Sequence, residues 1–191
     1  RPLPWLQAAT AAARGSLPWI EEQSGGVGGG GGPIIAMHVR RGDSCASGRQ
    51  CLPWSRFLEA ARRMRALYNA CRILIASDDQ EVVEACRSDP DFVCSATSFN
   101  RSLLVPPSSA SGKKSSRYVE NRIRDGEVDG GTLARAALVD ISLLADCDVF
   151  VGTFSSSFSR VAFLLMTARK RRPVPFISLD TALGHKDGRI I

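Results

Sequence analysis

The chain has no Cys-x-x-Cys pair and only two histidines, which argues against a structural zinc site. No apolar run reaches the roughly 18 residues that a membrane helix needs. The opening Arg1-Pro2-Leu3-Pro4-Trp5 lacks the uninterrupted apolar stretch of a secretory signal. There is no initiator Met, so the chain reads as a piece of something longer, with any membrane anchor outside this fragment. Aromatic residues make up 7% of the sequence and do not interleave with basic ones along a strand. Zinc-finger spacing and a helix-turn-helix signature are also missing, which counts against a nucleic-acid partner. The glycine-rich run at 24–32 lacks the Gly-Lys-Ser/Thr ending of a phosphate-binding P-loop and precedes a strand instead of following one. It reads as a flexible linker.

What is present suits one domain with a core of its own: 191 residues, 44% hydrophobic and 23% charged. Lys and Arg number 25 against 19 Asp and Glu, a net +6 that favours anionic ligands without naming one. The runs Arg62-Arg63-x-Arg65 and Arg169 to Arg172 read as solvated helix faces or ends. Of the six cysteines, Cys45 and Cys51 flank a short polar loop that can close as a disulfide in an oxidising compartment. The other four fall in apolar patterns and read as buried free thiols. Asn100-Arg101-Ser102 is a glycosylation sequon, of consequence only in a secreted chain.

Short apolar runs at Ile34–Val39, Arg72–Ala76, Phe92–Cys94, Asp148–Gly152 and Val174–Leu179 read as strands. Helical spacing covers Leu6–Ala13, Trp54–Ala70, 80–87, about Thr132 to Leu144, and Phe158–Thr167. This alternation predicts an α/β fold, a Rossmann-like parallel sheet with helices on both faces. The organisation expected is a helical lead-in over 1–23, a glycine-rich linker over 24–33 and the Rossmann-like domain over 34–191, with a loop or insertion near 98–131.

In such sheets ligands bind beyond the carboxyl ends of the strands. The three most polar strand exits are Arg40-Arg41-Gly42-Asp43, Ser77-Asp78-Asp79 and Thr153-Phe154-Ser155-Ser156, and they should converge on one crevice. Successive side chains of extended chain point to opposite sides, so one arginine can enter the crevice while the other braces it. A guanidinium fork matches two phosphate oxygens, although Arg40 or Arg41 pairing only with Asp43 or Asp79 explains the residues too. The start of the helix after Thr153 can attract an anion, or Ser155 or Ser156 can simply cap it. Asp140, on a helix with an apolar inner side, can accept a bidentate pair from a guanine or sit capped at the surface. Asp78 and Asp79 make a weak metal signal and suit capping of the following helix better.

These residues resemble a known family. Ile35-Ala36-Met37-His38-Val39-Arg40-Arg41-Gly42-Asp43 is similar to the His-Val-Arg-Arg-x-Asp motif of the α1,6-fucosyltransferases, glycosyltransferase family 23. In the same order follow Ala76-Ser77-Asp78-Asp79, Arg117-Tyr118-Val119-Glu120-Asn121, Asp140-Ile141, and Val151-Gly152-Thr153-Phe154-Ser155-Ser156 leading to Arg160-Val161-Ala162. The resemblance implies the nucleotide-sugar-binding half of a GT-B-like enzyme, membrane-anchored in the Golgi lumen. It implies an inverting transferase that takes fucose from GDP-fucose without a metal or other cofactor. The acceptor implied is a glycan or glycoprotein, with α1,6 transfer to N-glycan core or chitooligosaccharide-like GlcNAc.

Carried over by motif, Arg40 and Arg41 bind the diphosphate, His38 and Asp140 contact the guanine end, and Ser156 donates to the phosphates. Asp43, Asp78 and Asp79 sit close to the donor. The family's proposed base is a Glu five residues beyond the motif's Asp, where this chain has Gly48. Asp43 is then the candidate base, and the alternative is a non-catalytic relative that binds a nucleotide-sugar or a glycan.

Overall fold

A computed structural model of the chain describes residues 3–17, 32–42, 45, 51–96, 101 and 119–181, and the backbone of 185–186 and 189–190. The glycine-rich linker up to residue 31, Asp43, Gly48, the sequon asparagine and most of the expected insertion lie outside the described residues.

The described chain forms α1 (Pro4–Gly15), β1 (Ile34–Val39), α2 (Trp54–Tyr68), β2 (Arg72–Ser77), α3 (Gln80–Arg87) and β3 (Val93–Ser95). Then come α4 (Val119–Arg124), α5 (Gly130–Leu144), β4 (Val149–Gly152), α6 (Ser157–Lys170) and β5 (Phe176–Ser178). Two short antiparallel strands, β6 (His185–Lys186) and β7 (Arg189–Ile190), pair with each other near the end.

The main sheet has the order β3-β2-β1-β4-β5 and every pairing in it is parallel. Its central strands are mainly apolar because both faces are covered, with His38 inside β1 and Arg72 and Ser77 at the two ends of β2 as the polar exceptions. Ile35, Met37, Val39, Ile73, Ile75, Val149 and Val151 join one core with Phe57, Ala61 and Met64 of α2 and Val82 and Val83 of α3. The intervening Ala36, Leu74, Ala76 and Phe150 join a second core with Leu143 and Leu144 of α5 and Ala162, Phe163 and Met166 of α6. The period of two thus divides each strand between two helix layers. The lead-in helix α1 is docked on the second layer, where Leu17 enters the core and Arg14 pairs with Asp146.

Element boundaries differ from expectation where capping overrides propensity. Helix α5 begins at Gly130, earlier than expected, because the Asp129 carboxylate accepts from the amides of Gly131 at 3.0 Å and Thr132 at 3.1 Å. Within the expected insertion, 119–124 are helical. The last parallel strand is three residues long, shorter than expected.

The disulfide Cys45–Cys51 is formed. Cys86 and Cys94 are not free thiols as expected. They form a second disulfide, because the turn between α3 and β3 brings their Cα atoms to 5.8 Å. Cys71 and Cys147 are free, the latter buried.

Candidate functional site

The chain runs outward from β1 to β2 and β3, then crosses to the other side of β1 to lay down β4 and β5. The strand order therefore reverses between β1 and β4, where a crevice opens beyond the carboxyl ends. A cavity of about 570 Å³ lies there, and its walls include His38, Arg40, Glu120, Ser156, Phe158 and Arg160.

The β1 and β2 exits are tied together by charge. Arg40 Nη1 lies 2.9 Å from Asp78 Oδ2, with the carboxylate buried and the Arg40 side chain a third exposed. The other oxygen of Asp78 accepts from the Arg41 amide at 2.8 Å. The Arg41 guanidinium faces the next carboxylate, with its Nε 3.3 Å from Asp79 Oδ2. Asp79 also caps α3 by accepting from the Glu81 amide at 2.9 Å. Gly42 leaves room for this approach, since a Cβ atom there would sit 2.6 Å from Asp78 Oδ2 and push that carboxylate aside.

At the β4 exit the chain turns into α6 through Thr153 to Ser156. The amides of Phe154 and Ser155 donate to the two oxygens of Asp180, at 2.8 and 3.3 Å. Ser156 occupies the N-cap position of α6, yet its side chain makes no capping hydrogen bond. Its hydroxyl is left to the cavity, and the first amides of α6 have no intrahelical acceptor.

His38, on the α6 side of β1, is fixed twice. Its Nδ1 is 2.6 Å from Ser159 Oγ, and its ring stacks on Phe158 with centroids 4.3 Å apart and planes at 17°. Burial, with a smaller push from the Arg40 charge, lowers its pKa to about 3. The ring is neutral at physiological pH and can serve as a donor or acceptor without adding charge.

The structure thus brings His38, Arg40 and Ser156 to one cavity, with Asp78, Asp79 and Arg41 forming the ion-paired set beside it. The acidic pair braces arginines and caps a helix. Among the described residues no group of three or more His, Cys, Asp or Glu is placed to hold a metal. Asp140 is on α5 and does not line this cavity. Its charge acts on Arg101, a buried guanidinium whose Nε donates to the Ser77 carbonyl at 3.0 Å.

Sequence reasoning did not single out Glu120, Phe158, Ser159, Arg160 or Asp180 for the site. For Asp180 the signal was present, since it follows the β5 exit as the other polar residues follow theirs. For Phe158, Ser159 and Arg160 it lay in the first turn of the helix after a polar strand exit.

Comparison with known proteins finds a matching family model and solved structures of similar fold. A family model described as alpha-(1,6)-fucosyltransferase N- and catalytic domains matches residues 19–182. Among solved structures, POFUT1 in complex with GDP-fucose is similar at a TM-score of 0.51 and 11% identity, covering 93% of this chain and 46% of that one. NodZ alpha-1,6-fucosyltransferase soaked with GDP-fucose gives 0.47 at 22% identity, covering 86% and 43%. The fucosyltransferase NodZ from Bradyrhizobium gives 0.45 at 23%, covering 85% and 42%. The chain spans less than half the length of these solved proteins.

Proposed function

The chain belongs to the alpha-(1,6)-fucosyltransferase N- and catalytic domain family, and from that premise we propose that it is the donor-binding part of an enzyme transferring fucose from GDP-fucose to a glycan. The observation that carries this reading is the convergence of Arg40, the uncapped Ser156 hydroxyl and the start of α6 on one cavity at the sheet's reversal point. Guanidinium, hydroxyl and helix-end amides together suit a diphosphate. The neutral, stacked His38 suits the uncharged end of the nucleotide. Arg41 would act from its place on Asp79, with Asp78 and Asp79 aiming the two arginines at the donor. Asp140 contacting the guanine is part of the same proposal and requires the base to reach beyond the cavity wall.

In the reaction, cations at the diphosphate stabilise the departing GDP as the sugar gains positive charge, while a carboxylate takes the proton of the acceptor hydroxyl. Asp43 follows directly on the β1 exit and is one candidate base. Glu120 is another, lining the cavity with no hydrogen-bond or ion-pair partner among the described residues. The finer proposal is inverting, metal-independent α1,6 transfer to N-glycan core or chitooligosaccharide-like GlcNAc, in the Golgi lumen. Gly48 at the family's base position favours a second reading, a relative that binds the nucleotide-sugar or a glycan without transfer.

Thermal denaturation of the full-length protein with GDP and GDP-fucose tests donor binding, since a ligand that binds only the folded state raises the midpoint with saturation. Replacing Arg40 by Ala should remove the shift. Labelled GDP-fucose with a panel of N-glycans, chitooligosaccharides and peptides separates transfer from binding alone.

A further inference from the structure

The sequence puts two adjacent arginines at the β1 exit, but the structure does not give them equal access to the cavity. Arg40 lines it and shares its charge with Asp78. Arg41 is absent from the lining and is held by Asp79 through its side chain and by Asp78 through its amide. A third arginine has the complementary character. Arg160 lines the cavity from the first turns of α6, and its Nη2 donates to the neutral Ser157 Oγ at 3.0 Å. Glu120 and Asp180 line the same cavity, but among the described residues neither they nor any other carboxylate lies within ion-pair distance of this half-buried guanidinium. Most of its donors are left for an anionic ligand.

We infer that Arg160 is the second guanidinium fork for the donor's diphosphate, joining Arg40 across the cavity. This rests on the donor reading above and deepens it. A nucleoside diphosphate ester carries a negative charge on the oxygens of each phosphate. Arg40, just beyond β1, and Arg160, on α6, flank the helix start that carries Ser156, so the two phosphates can be gripped from two elements at once. Ser157 holds the Arg160 fork by one nitrogen and leaves the other edges for oxygen acceptors. The same residue discriminates between ligands, because guanosine alone offers it nothing.

The test uses full-length protein and calorimetric titration with GDP, GMP and guanosine. The variants are Arg160→Ala, Arg160→Gln, which keeps much of the volume should the alanine fail to fold, and Arg160→Lys. Arg160→Ala and Arg160→Gln should weaken GDP about 10- to 100-fold while guanosine affinity stays within about two-fold. The salt dependence of GDP binding should become shallower, and Arg160→Lys should recover part of the loss without the full bidentate geometry. GDP affinity within about two-fold of wild type in both neutral variants overturns the inference and leaves donor binding standing. Equal losses for GDP and guanosine overturn it too, since they mark a general structural defect. Wild-type protein that binds no GDP overturns the donor reading and this inference together.

Discussion

Asp78 grips both arginine positions of the β1 exit at once: one carboxylate oxygen lies 2.9 Å from Arg40 Nη1 and the other accepts the Arg41 amide at 2.8 Å. A single buried side chain at the β2 exit therefore helps set the direction of the cation that lines the cavity. Asp78→Asn keeps the shape and loses the charge, leaving Arg40 without its anchor. GDP affinity should fall about 10-fold, and stability by about 1–3 kcal/mol, toward the low end because Arg40 is a third exposed. Titration and urea denaturation measure the two effects separately. Wild-type GDP affinity in this variant would show that Arg40 needs no brace.

His38 links stability to pH. Its pKa in the folded protein is lowered to about 3 from 6.5. The unfolded chain therefore takes up a proton as pH falls through 6.5, and the folded chain does not. The folded state is penalised progressively below that value, by about 1.4 kcal/mol per pH unit for one proton. Chemical denaturation between pH 7.5 and 5 should show the decline, and His38→Gln should flatten it by one proton's worth. Identical slopes in the two proteins would place the titration elsewhere.

The disulfide Cys86–Cys94 closes a short loop between α3 and β3, with a sequence separation of 8. Loop-closure entropy assigns it about 2.5 kcal/mol. The Cys86→Ser/Cys94→Ser double variant should lose about that much in denaturant titrations. It should retain the fold, since the two cores are built mainly from β1, β2, β4 and the helices over them.

Glu120 lines the cavity, unpartnered among the described residues. If it takes the acceptor's proton, Glu120→Gln should lower kcat about 100-fold with GDP affinity unchanged. Undiminished turnover would return the base role to Asp43, whereas no turnover in either protein would favour the non-catalytic reading.

The parts of this molecule that the sequence revealed are those with a strong local signature. Strands β1, β2 and β4 are buried on both faces, so apolar residues dominate each, and the polar residues after them mark the crevice. The expectation that one arginine enters while the other braces came from the period of two in extended chain. Arg40 on the cavity wall and Arg41 on Asp79 have that arrangement. What stayed hidden depends on distant chain meeting. The pairing of Cys86 with Cys94 needs the turn at 88–92. The Gly130-Gly131 start of α5 works only because Asp129 supplies two capping bonds. The stack of Phe158 on His38 joins residues whose proximity exists only once α6 has packed over β1.

Asp180 has the last effect on how a ligand sits. By taking the amides of Phe154 and Ser155, it fills the deepest anion-attracting notch of the turn with the protein's own negative charge. That negative charge disfavours a second anion on the same two amides, and the amides after Ser156 are the ones left without an intrahelical acceptor. Under the donor-binding proposal the carboxylate would act as a depth gauge, keeping a bound diphosphate off the β4 exit and nearer the start of α6.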